Sequence, residues 1–329
     1  MKKLVSGIKP TGELTLGSYI GAVKQYIELQ KEYDSYFFVA DLHAITKYQD
    51  PKELREKTKK IVALYLACGL DPKQATIYLQ SENPYHSHLS WILSCNTYLG
   101  ELNRMTQYKD QKIKDSNLSV GFYTYPVLMA ADIVIYDAEY VPVGEDQVQH
   151  VELARDIVQR FNKRYGNKLI MPESIVPKIG ARIKDLQEPT KKMSKSDGEC
   201  KGSILLLDDE KIVRKKVMSA ITDSDNLIKY DVKNKPGISN LITIYSSLSD
   251  LSIKEVETEF IDKNYGEFKT AVADKIVEVL KPIQDKYYEY INSDMIDEVL
   301  DQGIKKVTVI AQKKCELIAK AVGLGRQKC

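Results

Sequence analysis

Residues 6–19 read Ser6-Gly7-Ile8-Lys9-Pro10-Thr11-Gly12-Glu13-Leu14-Thr15-Leu16-Gly17-Ser18-Tyr19, a strand end, a glycine-rich turn and a helix start in succession. Lys3 to Ile8 is short and apolar, Pro10-Thr11-Gly12 breaks it, and an amphipathic pattern runs from about Leu16 to Glu32. A helix beginning there aims its unpaired backbone N–H groups at whatever lies above the strand end, a geometry suited to phosphate.

Outward from this unit the same alternation repeats. Tyr36 to Ala40 is a continuous apolar run of strand length, as expected inside a parallel sheet, and ends in Asp41-Leu42-His43-Ala44. Asp50-Pro51-Lys52-Glu53 has the form of a helix N-terminus, with an Asp cap, Pro at the first position and an acidic first turn; apolar residues at helical spacing continue to Cys68, and Gly69 and Asp71-Pro72 stop the helix. Thr76 to Leu79 is another short buried strand. A strand–helix–strand–helix–strand series predicts a right-handed parallel α/β sheet of Rossmann type, with ligand contacts at the strand C-termini.

From His86 to about Asn117 the pattern is helical and reads as an insertion, about residues 84–120, between the halves of the sheet domain. Tyr123 to Tyr136 is an unusually apolar helix that carries one carboxylate, Asp132, which costs several kcal/mol to bury unless something pairs with it. Tyr140-Val141-Pro142-Val143-Gly144 is a strand that delivers Glu145 and Asp146 to the start of the next helix, Gln147 to Lys163. After Asp208 the chain is helical to Lys306, with turns at Lys235-Pro236-Gly237 and Asn264-Tyr265-Gly266, and the last helix spans about Ser293 to Val322. The expected organisation is a catalytic sheet domain over 1–200, an all-helical domain over 201–292, and a C-terminal helix over 293–329 that packs back on the first.

The second chemical signature is Lys191-Lys192-Met193-Ser194-Lys195-Ser196-Asp197-Gly198. Three ammonium groups and two hydroxyls in one short loop suit a polyanion, because a loop, unlike a rigid helix, can fold Lys192 and Lys195 together onto phosphate.

The 329-residue chain is 29% charged with a formal net charge of +2, so bulk electrostatics give no reason to expect nucleic-acid binding. Any RNA contact must come from local patches, for which Lys211, Arg214, Lys215 and Lys216, then Lys305, Lys306, Lys313, Lys314, Arg326 and Lys328, are candidates. No stretch is apolar enough to cross a bilayer, and Met1 to Ser6 lacks a signal-peptide core, so a cytoplasmic protein is expected. Five scattered cysteines without a C-x-x-C pair fit reduced thiols, with Cys68, Cys95 and Cys315 read as small buried apolar residues. His86 and His88 would face apart on a helix, so no zinc or other metal site is expected.

Thr15-Leu16-Gly17-Ser18 and the Lys192–Ser196 run resemble the paired signature motifs of class I aminoacyl-tRNA synthetases, the second without a change. Ser6 to Gly12, Met129-Ala130-Ala131-Asp132, Val141 to Gln147, and Lys235-Pro236-Gly237-Ile238-Ser239-Asn240 further resemble the bacterial tryptophanyl-tRNA synthetases, essentially from end to end. The resemblance implies a homodimer that joins L-tryptophan to ATP, bound with Mg2+ as the substrate complex, and then to the 3′ end of its tRNA. It implies that Asp132 accepts the indole N–H in a tryptophan pocket of Val5, Gly7, His43, Tyr125, Met129, Val141, Val143 and Gln147. It places ATP on Lys9, Pro10, Thr11, Gly17, Ser18, Gly144, Asp146, Gln147, Lys192, Met193, Ser194 and Lys195, with Lys192, Lys195, Ser194, Thr15 and Ser18 as the catalytic groups.

No protein nucleophile is required, so catalysis rests on positioning and on cations at the phosphates. Gly17 is read as leaving room for a flat adenine. Thr15 and Ser18 stand where the signature has histidines, Lys9 where the family usually has Gln, and Gln111 where a lysine is expected. Cys200 stands alone, so no iron–sulfur cluster is expected. The alternatives are tyrosyl-tRNA synthetase, which shares the fold and the pocket Asp, and an RNA-binding regulatory relative, which would be expected to lose the loop lysines.

Overall fold

The computed structural model describes residues 1–115, 117–175, 183–193 and 201–326. Its strands β1 (Lys3–Ile8), β2 (Asp34–Val39), β3 (Ala75–Leu79), β4 (Tyr140–Pro142) and β5 (Glu173–Ile175) form one parallel sheet in the order β3-β2-β1-β4-β5. The chain builds from β1 outward to β3, then crosses to the other side of β1 with β4. That reversal puts the switch point between β1 and β4, where diverging connections leave a crevice beyond the strand C-termini.

The connection after β1 is one helical run of α1 (Leu16–Ser18), a π-helical stretch (Tyr19–Val23) and α2 (Lys24–Glu32). Next come α3 (Asp41–Ala44) and α4 (Pro51–Cys68), whose ends are set as the sequence predicts: the Asp50 carboxylate accepts from the Lys52 and Glu53 N–H groups, and Gly69 closes the helix at φ 112°. The insertion is α5 (Tyr85–Ser94), α6 (Leu99–Asn103) and α7 (Thr106–Lys114), followed by α8 (Val120–Val134) and α9 (Val148–Tyr165). The remainder is α10 (Glu210–Met218), α11 (Pro236–Ser249), α12 (Ile253–Glu259), α13 (Tyr265–Ile291) and α14 (Met295–Ala321).

Alternation along the strands sends side chains to two cores. Leu4, Phe37, Val39 and Ile77 pack with α4 and with Leu241, Ile276 and Leu280 of the helical part, whereas Val5, Tyr36, Phe38 and Tyr78 pack with α5, α8 and α9. Covering both faces explains why the strands read as unbroken apolar runs. The last helix closes the second core with Val307, Ala311, Cys315 and Ile318. Gly303 lets it lie directly on β3, since an added Cβ would collide with the Ile77 carbonyl.

Two of the basic residues proposed for RNA, Lys314 and Lys216, are instead drawn into the fold. Lys314 is 8% exposed, donates to the Lys168 carbonyl at 2.7 Å and pairs with Asp137. Lys216 donates to the Ser203 carbonyl and pairs with Asp208 at 2.6 Å, and Arg214 bridges Glu210 and Asp274. Lys306 lies over the Tyr36 ring. Cys68 and Cys315 are buried, and burial pushes both thiols up to about 12, but Cys95 is exposed, because it lies at the end of α5 just past the buried turn of Ile92 and Leu93. Cys200, Cys329 and Lys328 lie outside the described residues. Strand β5 was not anticipated: three partly exposed residues carry no usable alternation. Among the described residues no helix is long and apolar enough to cross a membrane.

Candidate active site

At the switch point lies a cavity of about 280 Å³, close to the lower end of small-ligand sites. The nine residues of the expected tryptophan set, Val5, Gly7, His43, Tyr125, Met129, Asp132, Val141, Val143 and Gln147, all line it. They come from β1, from α3 just beyond β2, from α8, and from β4 and its exit, so the parallel sheet order is what gathers positions 5 to 147 around one space. Gly7 is required by close approach: a Cβ there would stand 2.5 Å from the Phe38 ring, which also lines the cavity. The π-helical stretch brings Gly21 and Ala22 to the wall.

Asp132 is 1% exposed, and both its oxygens are hydrogen-bonded. Its Oδ2 lies 2.7 Å from His43 Nε2, and its Oδ1 accepts from Gln80 Nε2 at 2.7 Å and lies 2.7 Å from His86 Nδ1. Burial alone would push this carboxyl up; the hydrogen bonds from His43 and His86 outweigh burial and hold it at about 2. The expected partner for a buried carboxylate is therefore present, as two imidazoles and an amide. A carboxylate offers about four acceptor positions, so with two donors on Oδ1 and one on Oδ2 a position on Oδ2 stays open.

Across the cavity the Tyr125 hydroxyl donates to Gln107 Oε1 at 2.7 Å and lies 2.7 Å from His150 Nε2. Burial drives His150 down to about 4, with His43 and Lys9 adding to the shift against Asp146, so the ring donates to Tyr125 as a neutral imidazole. Lys9 stands 5.3 Å from the Tyr125 ring centroid, at the border with a second cavity of about 510 Å³ that Thr11, Lys47, Gln107 and Gln111 also line. Lys9 keeps solvent contact but sits within the cleft, and the surrounding protein, then Lys47, lower its ammonium pKa.

The remaining expected ATP groups are less assembled. Gly144 and Gln147 line the first cavity and Thr11 the second, while Pro10, Gly17, Ser18, Asp146, Lys192 and Met193 line neither. The buried Thr15 hydroxyl caps α1, accepting from the Ser18 N–H at 3.1 Å and meeting Ser18 Oγ at 3.1 Å. Asp146 is exposed and accepts from Gln147 Nε2 at 2.9 Å, without capping α9. The space over Gly17 does not stand open for adenine: a Cβ there would meet Met193 Cβ at 3.3 Å and Ile183 Cβ at 3.5 Å. Met193 is held there by a short antiparallel pairing in which its N–H donates to the Ile183 carbonyl, and Asn240 clasps the same hairpin through both backbone groups of Lys184. Lys192 is exposed on that hairpin; Ser194, Lys195 and Ser196 lie outside the described residues.

Gln80, Asn83, His86 and Tyr136, which brace Asp132, and Phe38, Gln107 and His150 were not singled out from the sequence. In the sequence His86 has the aspect only of a metal ligand, a role its spacing to His88 excludes. Among the described residues no group of three or more His, Cys, Asp or Glu side chains is placed to hold a metal ion.

The family model for class I tRNA synthetases (W and Y) matches residues 1–281. The tryptophan–tRNA ligase of Bacillus anthracis is 51% identical over 328 residues, covering 100% of both chains. Among solved structures, tryptophanyl-tRNA synthetase from Mycoplasma pneumoniae superposes with a TM-score of 0.91 at 37% identity, covering 99% of each chain. The Campylobacter jejuni synthetase, complexed with ADP and tryptophan, gives 0.85 at 35% identity, covering 98% of this chain and 100% of that one.

Proposed function

Because the chain belongs to the class I tRNA synthetases of the tryptophan and tyrosine group, we infer that it is a tryptophan–tRNA ligase working through the cavity at the β1–β4 switch point. The observation that carries this reading is the buried, ionised Asp132 in a wall to which Val5, Phe38, Met129, Val141 and Val143 give a largely apolar stretch. Such a pocket takes a flat apolar ring bearing one N–H, and the open position on Asp132 Oδ2 accepts that donor.

In the first step the tryptophan carboxylate attacks the α-phosphate of Mg-ATP and diphosphate leaves. In the second a terminal ribose hydroxyl of the tRNA takes the acyl group and AMP leaves. Lys9, Thr11 and the start of α1 face the phosphates, with Gly144, Asp146 and Gln147 toward the ribose, and Lys192 and Lys195 supply charge to the departing diphosphate. Adenine reaches Gly17 with Met193 displaced. The sheet domain, residues 1–200 with its insertion, carries this chemistry; residues 201–292 serve the tRNA, and the C-terminal helix folds back. The exposed Trp91, Tyr98 and Leu99 of the insertion (72%, 53% and 71%) suit a homodimer contact. The enzyme acts in the cytoplasm.

ATP–pyrophosphate exchange run separately with tryptophan, tyrosine and phenylalanine tests the reading. Exchange with tryptophan alone is expected. A preference for tyrosine, or no exchange with any of the three, overturns it.

A further inference from the structure

The groups that hold Asp132 from behind form a second layer. His86, Gln80, Asn83 and Tyr136 are each 0% exposed, and none lines the amino-acid cavity. Asn83 Nδ2 donates to the Tyr136 hydroxyl oxygen at 2.9 Å, that hydroxyl lies 2.7 Å from His86 Nε2, and His86 Nδ1 lies 2.7 Å from Asp132 Oδ1. The two ends of the chain set its direction, because the Asn83 amide nitrogen can only donate and the ionised Asp132 can only accept. His86 therefore keeps a ring proton on Nδ1, facing the carboxylate. Its Nε2 lone pair takes the Tyr136 proton, while the Asn83 N–H fills the hydroxyl oxygen. The opposite tautomer would present a lone pair to Asp132 and drive the carboxylate out of place. The rings are fixed as well: Tyr136 stacks on Tyr36 at 5.2 Å with a 6° interplanar angle, and Phe38 and Tyr78 flank His86 at 6.0 Å.

We propose that His86, set in one tautomer by Tyr136 and Asn83, is a positioning residue that aims Asp132 at an indole N–H and so sets the preference for tryptophan over side chains of the same shape without that donor. This rests on the reading that Asp132 accepts the indole N–H. His86 itself touches no substrate. Gln80 anchors the same oxygen, so two donors pin Oδ1 while Oδ2 faces the ligand with a single protein partner.

The test is exchange kinetics with tryptophan and with L-3-benzothienylalanine, in which sulfur replaces the indole N–H, for the wild type, His86→Leu, His86→Asn, Tyr136→Phe and Asp132→Asn. In His86→Leu the ratio of kcat/KM for the two amino acids should fall about 10- to 100-fold, the worth of one hydrogen bond to a charged group. Tryptophan activity should carry the loss while the sulfur analogue changes little. His86→Asn, which keeps an N–H near the Nδ1 position, should restore most of the ratio, and Tyr136→Phe should fall between.

A merely structural role lowers both substrates together, so an unchanged ratio in His86→Leu overturns the proposal. Should that variant fail to fold, an unchanged ratio in Tyr136→Phe does the same. If Asp132→Asn collapses the ratio while the His86 and Tyr136 variants do not, only the positioning role falls. If Asp132→Asn also leaves the ratio intact, the indole reading falls and the proposal with it.

Discussion

Replacing Asp132 with asparagine preserves shape and changes one acceptor into a donor, and the structure says which. Oδ1 faces two donors, Gln80 Nε2 and His86 Nδ1, so the new amide must keep its oxygen there and place its NH2 at the Oδ2 position. His43 can accommodate that exchange, because its buried Nδ1 has no partner among the described residues and can take the ring proton while Nε2 becomes an acceptor. The fold should therefore survive with a modest loss of stability. The second amide hydrogen, however, now occupies the position at which Oδ2 is proposed to accept the indole N–H.

Tryptophan then loses a hydrogen bond to a charged group, worth about 1.5–3 kcal/mol, and buries an unpaired donor at about 1–3 kcal/mol. Together these give about 2.5–6 kcal/mol, or roughly two to four powers of ten in kcat/KM. The KM for ATP should stay near the wild-type value. Exchange kinetics across tryptophan and ATP concentrations, beside a denaturation curve, measure all three quantities. A fall of less than about tenfold in a folded variant, or an equal fall for an analogue lacking the N–H, would show that Asp132 has only a structural role.

Four further outcomes are expected. Gly7→Ala forces a Cβ to within 2.5 Å of the Phe38 ring; it should cost about 1–3 kcal/mol in urea unfolding and raise the tryptophan KM, and unchanged values for both would contradict the packing. His150 is held down to about 4 from an ordinary 6.5, so the unfolded chain takes up a proton first as pH falls. Its contribution is intact above about 6.5 and is lost towards 4, giving about 2 kcal/mol less stability at pH 5 than at pH 7; His150→Gln should lose correspondingly less, and an identical loss in both proteins refutes the assignment. Lys9→Gln should raise the ATP KM several-fold and flatten its salt dependence with tryptophan selectivity untouched, whereas superimposable curves would leave Lys9 outside the phosphate site. Trp91 is the only tryptophan and is 72% exposed, so dimerisation through α5 should shift its emission to the blue as concentration rises, and constant emission across a light-scattering transition would place the dimer contact elsewhere.

What the sequence alone determined was local or repetitive. Lys3–Ile8 is a strand because apolar residues run up to Pro10, and α4 starts and stops where Asp50, Pro51 and Gly69 satisfy or interrupt its own backbone. Nine of the cavity residues were also readable through the family resemblance, even though their meeting depends on the sheet, whereas Phe38 and Gln107 were not. Where local patterning was weak, tertiary packing decided. Strand β5 forms in three residues only because β4 offers an edge. Lys216 and Lys314 look like surface cations, yet a carbonyl and a carboxylate outside its own helix draw each of them inward, those of Lys314 lying far along the chain. Met193 fills the space over Gly17 because a hairpin clasped by Asn240 carries it there. The brace behind Asp132 joins residues 46 to 53 positions apart. No spacing announces such a network, because a buried polar group is tolerated only after three-dimensional packing has brought every donor to its acceptor.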